Sequence, residues 1–125
     1  MSTKFNYSAV FSEAEFDEGA SFDMVEASLA AWFNETKFHG DAWFDGTNFN
    51  ETRFDNAKFD GDARFVNTKF SGETEFTATE FSGNTVFDEA TFGGDARFTD
   101  VKFSREALFD GAKFSGDVPD EVRAQ

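Results

Sequence analysis

The chain has 125 residues, enough for one domain, and a formal net charge of −14 at pH 7 from 25 acidic and 11 basic residues. It contains no cysteine, which excludes a disulfide framework, thiolate zinc sites and cysteine nucleophiles. The negative charge argues against direct binding to nucleic acid or to an anionic membrane. Since the N-terminus lacks the pattern of a secretion signal and no apolar run approaches bilayer length, we expect a cytoplasmic protein that does not enter a membrane.

Phenylalanine recurs along nearly the whole chain at intervals of five or six residues. The residue two places before each phenylalanine is Ala or Thr, with Val101 as the exception. So regular a pattern indicates a repeat architecture, which has to be identified before local structure is assigned. The phenylalanines are Phe5, Phe11, Phe16, Phe22, Phe33, Phe38, Phe44, Phe49, Phe54, Phe59, Phe65, Phe70, Phe76, Phe81, Phe87, Phe92, Phe98, Phe103, Phe109 and Phe114.

A short strand explains this spacing and a helix does not. At about 100° per residue, steps of five and six would send successive rings to different sides of a helix. Most eleven-residue units also contain glycine, which costs about 1 kcal/mol in a helix interior. In a strand, the phenylalanine and the small residue two places before it share one face, while the residue between them points outward. We therefore predict very short strands with an inward phenylalanine, separated by corners.

The first irregularity is the gap between Phe22 and Phe33, where one phenylalanine is missing. Ala27 stands at the missing position with Val25 two places before it, and every later unit then stays in phase. Leu29 is a competing centre, and the stretch MVEASLAAW is also compatible with a short helical excursion. We prefer Ala27, which brings the number of centres to twenty-one.

Taken four at a time, these centres form four columns, and successive members of a column are 22 residues apart with a single step of 21. The sixth residue falls at the corners between the first and second and between the third and fourth columns, often beside glycine; only the unit after Phe49 omits it. We predict that the added residue loosens these two corners. In order, the columns are Phe5, Ala27, Phe49, Phe70, Phe92 and Phe114; Phe11, Phe33, Phe54, Phe76 and Phe98; Phe16, Phe38, Phe59, Phe81 and Phe103; and Phe22, Phe44, Phe65, Phe87 and Phe109.

Tandem five-residue units with a small residue two places before a large apolar centre resemble the pentapeptide-repeat family. The resemblance covers residues 3–118 and implies an all-β fold, a right-handed quadrilateral β-helix of about five coils, with four faces per coil and a core of stacked phenylalanine. Two departures, Phe centres in place of mostly Leu and the six-residue units, predict a wider or looser cross-section than in the family. Stacked at the usual strand spacing of ~4.8 Å, the coils would form a rod about 25 Å long.

The repeat ends differently at its two termini. After Val118, which takes the small position of a unit, Pro119 breaks the pattern, and PDEVRA predicts one helical turn over the last coil. We therefore divide the chain into a solenoid of residues 1–118 and a C-terminal tail of residues 119–125. The N-terminal coil has no comparable cap, so its open edge either is covered by solvent or pairs with a second copy of the chain.

Acidic residues collect along one edge of the predicted rod. They occupy the position after each fourth-column phenylalanine, interrupted by Val66, and the corner that leads into that column. Three interpretations stay open: a solubility coat or adaptation to high salt, a surface complementary to a basic protein partner, and a cation store. This acidic strip comprises Asp17, Glu18, Asp23, Asp41, Asp45, Asp60, Asp62, Asp88 and Asp110.

Four large apolar residues stand at outward positions directly before a centre, namely Trp32, Trp43, Val86 and Leu108. Trp43, Val86 and Leu108 belong to the fourth column, with Arg64 between the first two. Single exposed apolar residues are ordinary in proteins. A column of them that includes tryptophan is a candidate protein-binding surface.

No residue set in the sequence favours catalysis. The single histidine, His39, follows Phe38 at an outward position, and we expect it to be solvated, with no serine or aspartate held around it. Phosphate-binding loops and metal motifs are absent from the sequence. We therefore predict no catalytic residues, no cofactor, no metal site and no enzymatic activity.

The sequence supports a function only as a class. The first hypothesis is a non-enzymatic structural or interaction module, a rigid acidic rod that presents a surface to a protein partner of unknown identity or to itself through the N-terminal coil. The alternative rests on the family resemblance, since some pentapeptide-repeat proteins resemble B-DNA in size and charge and bind DNA gyrase in its place. A designed solenoid without a partner is the third.

Overall fold

The computed structural model describes the backbone of residues 3–5 and 8–125 and the side chains of residues 8–26 and 29–125. Most strands are only two residues long, and each holds one outward and one inward residue. In the first and third columns the inward residue is the phenylalanine centre, and in the second and fourth columns it is the small residue two places before the centre. The strands are β1 Thr3–Phe5, β2 Ala9–Val10, β3 Glu15–Phe16, β4 Ala20–Ser21, β5 Val25–Trp32, β6 Lys37–Phe38, β7 Ala42–Trp43, β8 Asn48–Arg53, β9 Lys58–Phe59, β10 Ala63–Arg64, β11 Lys69–Phe70, β12 Thr74–Glu75, β13 Glu80–Phe81, β14 Thr85–Val86, β15 Thr91–Phe92, β16 Ala96–Arg97, β17 Lys102–Phe103, β18 Ala107–Leu108 and β19 Lys113–Phe114.

The strands stack coil on coil into three parallel sheets. One follows the order β1-β5-β8-β11-β15-β19, with β2, β12 and β16 attached to it. The third-column strands form the order β17-β13-β9-β6-β3, and the fourth-column strands form β18-β14-β10-β7-β4. The register joins equivalent residues of adjacent coils, such as Phe16 to Phe38 and Phe70 to Phe92. The predicted all-β solenoid of about five coils, with its four columns, is confirmed.

The irregular segment after Phe22 is the strand β5, so the helical alternative for it is wrong. Ala27 pairs with Phe5 of the coil before and with Phe49 of the coil after, which confirms it as the missing centre. The competing centre Leu29 has 51% of its surface exposed. Between Ala27 and Ala30 the register with β8 shifts by one residue, since β8 lacks the sixth residue at this corner and β5 accommodates it as a bulge.

The core consists of phenylalanine rings stacked along the axis of the rod. Within a column, ring centroids of adjacent coils lie from 4.5 Å apart, between Phe92 and Phe114, to 5.6 Å apart, between Phe49 and Phe70. Rings of opposite columns meet edge to face, as Phe54 and Phe65 do at 5.7 Å. Both arrangements suit the aromatic quadrupole and add to the gain from burial. Twelve rings are more than 98% buried: Phe33, Phe38, Phe44, Phe54, Phe59, Phe65, Phe70, Phe76, Phe81, Phe87, Phe92 and Phe98.

The five-residue corners, after the second and fourth columns, are β-turns. The phenylalanine carbonyl accepts a hydrogen bond from the amide three residues later, for example from Ala57 to Phe54 at 3.0 Å. The second residue after each phenylalanine has positive φ, whereas the first does not, which is the pattern of a type II turn. These positive-φ residues are Glu13, Met24, Glu35, Gly46, Asn56, Asn67, Ala78, Glu89, Asp100 and Gly111.

The six-residue corners bring the backbones of adjacent coils close together at glycine. A Cβ placed on Gly83 would lie 2.4 Å from the carbonyl oxygen of Gly61, and one on Gly94 would lie 2.5 Å from that of Gly72. Contacts that short are not tolerated, so only glycine fits at these two positions. At these glycine positions adjacent coils are therefore in tight contact, and the prediction that the sixth residue loosens the corner within a coil stays a prediction.

The solenoid is followed by a helix, α1, Asp120–Arg123, directly after Pro119. Val122 is buried and belongs to the same hydrophobic cluster as the phenylalanine rings. In the part of the chain that the structure describes, no helix is long and apolar enough to cross a membrane. The division at residue 118 stays a prediction, as does pairing through the N-terminal coil, which includes residues 6 and 7 outside the described part.

Candidate protein-binding face

The fourth face is formed by strands β4, β7, β10, β14 and β18 with the residues that follow them. Its outward column runs in register through Ser21, Trp43, Arg64, Val86 and Leu108. The structure thus brings together three of the four candidate apolar residues. Trp43 and Val86 are half-buried, and 38% of Leu108 is exposed. The Trp43 indole contacts the equivalent corner of the coil before it, where a Cβ on Gly19 would be 3.1 Å from the Cζ3 of the ring.

The fourth candidate, Trp32, lies on another face. It is in the second column, where it pairs with Val10 of the coil before and Arg53 of the coil after. The Arg53 guanidinium lies 5.2 Å from the centroid of the Trp32 ring, a cation–π contact that occupies one side of the indole. Trp32 is therefore separate from the fourth-face column and is not part of the candidate surface formed there.

The aspartates of the acidic strip on the fourth face are hydrogen-bonded from coil to coil. The Oδ1 of Asp23 accepts the backbone N–H of Asp45 at 2.9 Å, and the Oδ1 of Asp45 accepts that of Val66 at 3.1 Å. Asp88 accepts the N–H of Asp110 at 3.1 Å in the same way. These carboxylates satisfy backbone donors that the β-ladder leaves unpaired. Their positions along the axis are therefore set by the backbone repeat.

A second row of such bonds follows the corner that leads into the fourth face. Asp41 accepts the backbone N–H of Asp62 at 2.8 Å, and Asp62 accepts that of Asn84 at 2.9 Å. Sequence reasoning assigned these aspartates to the surface charge and missed their bonds to the next coil. For the row on the fourth face, the sequence did contain a signal, because an aspartate directly after the centre recurs at the coil spacing in Asp23, Asp45, Asp88 and Asp110.

Arg64 is the positive charge within the fourth face. Its Nε lies 3.3 Å from the Oδ2 of Asp45, and both side chains remain partly exposed. Ion pairs of similar length join coils elsewhere, from Arg53 to Glu75 at 3.6 Å and from Lys58 to Glu80 at 3.9 Å. Exposed pairs of this kind contribute little to stability. The fourth face therefore remains strongly acidic, because the charge of its arginine is neutralised by Asp45.

Of the remaining acidic-strip residues, Asp17 and Asp60 lie next to His39 at the edge of the third column, and the backbone of Glu18 lies against Gly40. His39 is exposed, as expected, but it is also held on both sides: its Nε2 lies 3.0 Å from Glu15 Oε1 and its Nδ1 lies 2.9 Å from Asp60 Oδ2. The hydrogen bonds to Glu15 and Asp60 raise the pKa of His39, and the bond to His39 lowers the pKa of Glu15. The expectation that no aspartate is held around His39 is therefore wrong.

A comparison with protein families agrees with the geometry. A family model described as Pentapeptide repeats (9 copies) matches residues 2–48, 33–80, 54–102 and 76–119. The matches overlap and together extend over the coils described above. A comparison with curated proteins finds no match. Because the family model matches nearly the whole chain, the chain belongs to the pentapeptide-repeat family.

Proposed function

We propose that this chain is a non-enzymatic docking module whose fourth face binds a basic, partly apolar segment of a protein partner. The pentapeptide-repeat β-solenoid that carries this face is a structural repeat module, in which each coil is held by its neighbours. The observation that carries the proposal is the row of hydrogen-bonded aspartates beside the column of Trp43, Val86 and Leu108.

Rigidity supports this proposal. A carboxylate whose Oδ1 already accepts a backbone N–H from the next coil loses little conformational freedom when a cation approaches it. Binding then requires less ordering of side chains, and the positions of the charges decide which partner fits. The apolar column provides area that can be removed from water, and tryptophan is enriched among residues that dominate interfaces. A segment that alternates basic and apolar side chains complements both features.

A titration with a defined peptide tests the proposal. We would follow backbone amide signals of the isotope-labelled protein by NMR while adding a ten-residue peptide of alternating lysine and leucine at low salt. The expected result is that shifts concentrate on the amides of the fourth-face strands. The double variant Asp23→Asn with Asp88→Asn should weaken binding by about tenfold, because it removes two charges but keeps an oxygen to accept the N–H of the next coil.

The matched control removes two charges elsewhere on the rod, with Asp55→Asn and Asp95→Asn. Asp55 lies after the second column and accepts the N–H of Thr77 at 3.1 Å, so its asparagine variant preserves the same kind of bond. The control should change the affinity by less than about twofold. Equal weakening by both double variants, or shifts spread over all faces, would show that only the net charge of the chain attracts the peptide.

Two other partners belong to the same functional class. Association of the chain with itself would appear as a mass above the monomer by light scattering across protein and salt concentrations. A type II topoisomerase, the partner in the DNA-mimic alternative, would be inhibited or protected by the protein in a gyrase supercoiling assay. Supercoiling that is unaffected at micromolar protein removes that alternative.

A further inference from the structure

Three side chains from adjacent coils form a polar column at the edge of the third face. Asp17, His39 and Asp60 each follow a third-column phenylalanine, in strands β3, β6 and β9. These strands pair in register, so the three residues lie one above another along the axis. Glu15 stands on the first coil at the outward position of β3. His39 therefore lies between the carboxylates of Glu15 and Asp17 on the coil before it and the carboxylate of Asp60 on the coil after it.

The ring of His39 has a definite orientation in this column. Its Nε2 faces the first coil, 3.0 Å from Glu15 Oε1, and its Nδ1 faces the third coil, 2.9 Å from Asp60 Oδ2. One ligand atom each from Glu15, Asp17 and His39 lies within 4.8 Å of the other two. Histidine with two carboxylates is a donor set found in protein zinc sites.

We propose that Glu15, Asp17 and His39 bind a divalent transition-metal ion of the zinc class between the first and second coils. His39 supplies Nε2, and each carboxylate supplies an oxygen. A proton and the ion compete for Nε2, because this nitrogen binds a metal ion only when it is unprotonated. Water completes the coordination, because three protein ligands leave a position of a tetrahedral ion open.

Asp60 lies outside the ligand set and strengthens it. A histidine ligand commonly donates its other ring N–H to a carboxylate, which fixes the tautomer and the direction of the ring. Asp60 occupies that place on Nδ1. The imidazole nitrogen also decides the class of ion, since calcium and magnesium select all-oxygen sites whereas zinc, nickel and copper accept imidazole.

The three ligands are exposed, so rotation of their side chains can bring the ligand atoms from within 4.8 Å of one another to the ~3.3 Å that separates ligand atoms around a tetrahedral zinc ion. Glu15 and Asp17 come from the first coil and His39 from the second, so the ion would join the two coils. Because it binds the folded chain and not the unfolded one, it would stabilise the fold in proportion to its affinity and concentration. Lys37, which shares a groove with Glu13, Glu15 and Glu35, places a competing positive charge beside the site.

The test uses the full chain, stripped with EDTA and dialysed into buffer free of phosphate. Zinc binding is measured by competition with a chromophoric chelator, and thermal unfolding is measured with zinc, calcium or magnesium at equal concentration. The expected results are one zinc per chain and a rise in melting temperature with zinc alone. His39→Gln and Asp17→Asn should each weaken zinc binding at least about tenfold, and Asp60→Asn by about tenfold. Lys37→Gln should tighten it.

The matched control is Asp62→Asn, which removes one charge from the neighbouring corner while keeping an oxygen for the N–H of Asn84. It should change zinc affinity by less than about twofold. His39→Gln that binds zinc as well as the unchanged chain would overturn the proposal. So would equal stabilisation by calcium and zinc, which would show screening of the acidic surface, or several weak zinc ions per chain. None of these outcomes bears on peptide binding at the fourth face.

Discussion

The five-residue and six-residue corners turn the chain through the same angle by different physical means. A five-residue corner is closed within itself, by the hydrogen bond from the amide three residues on and by a residue at positive φ. A six-residue corner with glycine instead packs against the neighbouring coil, as at Gly61, Gly83 and Gly94, where a Cβ would lie 2.4–2.8 Å from backbone atoms of the coil before. The first kind is local and the second is long-range, so the two should respond differently to substitution.

The threonines of the core show the same difference. After a five-residue corner, the hydroxyl of Thr36, Thr47, Thr68 or Thr79 donates to a phenylalanine carbonyl of the preceding coil at 2.6–2.7 Å. At the corners between the first and second and between the third and fourth columns, the buried hydroxyl oxygens of Thr52, Thr74 and Thr85 have no hydrogen-bond partner in the described structure. Thr74 and Thr85 follow six-residue corners, and Thr52 follows the shortened corner after Phe49. The β-turn places a carbonyl oxygen where the hydroxyl reaches it, and the corners without this turn do not.

The largest expected effect is the loss of a core phenylalanine ring, and it should be the same after both kinds of corner. Phe65 follows a six-residue corner and Phe70 follows a five-residue corner, yet both rings are fully buried. Phe65→Ala and Phe70→Ala should each lower the free energy of unfolding by roughly 3–5 kcal/mol, since each leaves a cavity in a stacked column. Chemical denaturation measures both. A cost below about 1 kcal/mol at Phe65 would contradict its place in the core.

The second prediction concerns two adjacent glycines in one six-residue corner. Gly94→Ala should lower the free energy of unfolding by about 2–3 kcal/mol, because its Cβ would overlap the Gly72 backbone at 2.5 Å. Gly93→Ala is the control, with ordinary contacts that begin at 3.4 Å, and it should be nearly neutral. Thermal unfolding of the two variants would show equal stabilities if close contact between coils did not matter.

The third prediction compares two buried threonines. Thr79→Val removes a hydrogen bond of 2.7 Å to the carbonyl of Phe54 and should destabilise by about 1 kcal/mol. Thr85→Val removes a hydroxyl without a partner in the described structure and should stabilise by a similar amount. Denaturant midpoints of the two variants should therefore move in opposite directions. A shift in the same direction would mean that both hydroxyls are satisfied.

The fourth prediction tests the backbone of the five-residue corner. Ala78 has φ of 55°, a conformation that costs a non-glycine residue roughly 1–2 kcal/mol. Ala78→Gly should stabilise by about 0.5 kcal/mol, because the strain that it relieves exceeds the entropy that glycine adds to the unfolded chain. Ser104→Gly in a six-residue corner is the control and should destabilise by about 0.5 kcal/mol. Loss of stability at both positions would exclude strain in the turn.

The smallest effect is the pH dependence of the His39 bridge, measured with EDTA present. Hydrogen bonds to Glu15 and Asp60 raise the pKa of His39 above its ordinary value of 6.5. The stabilisation is therefore complete below pH 6.5 and is lost as the pH rises through the raised pKa. The melting temperature of the unchanged chain should exceed that of His39→Gln more at pH 5.5 than at pH 9. A pH-independent difference would show that the bridge does not depend on the imidazolium.

Most of the fold could be predicted from the sequence because each unit of a solenoid contacts the units one coil away. A repeat in the sequence then translates directly into pairing in space. Counting along the repeat was enough to place Ala27 opposite Phe5 and Phe49, in a segment where local composition also allowed a helix. The candidate face was predicted in part, since counting aligned Trp43, Val86 and Leu108 and left Trp32 on another face.

What the sequence by itself determined is the period of the chain, and with it the four columns, the inward phenylalanines and the outward charges. Only the tertiary structure decided what several outward and corner residues do. The aspartates bind the N–H groups of the next coil, His39 joins three coils, and glycine stands where two backbones meet. The reason is physical: these roles depend on the distance between atoms of adjacent coils, and a period specifies which residues are neighbours but not how closely they approach.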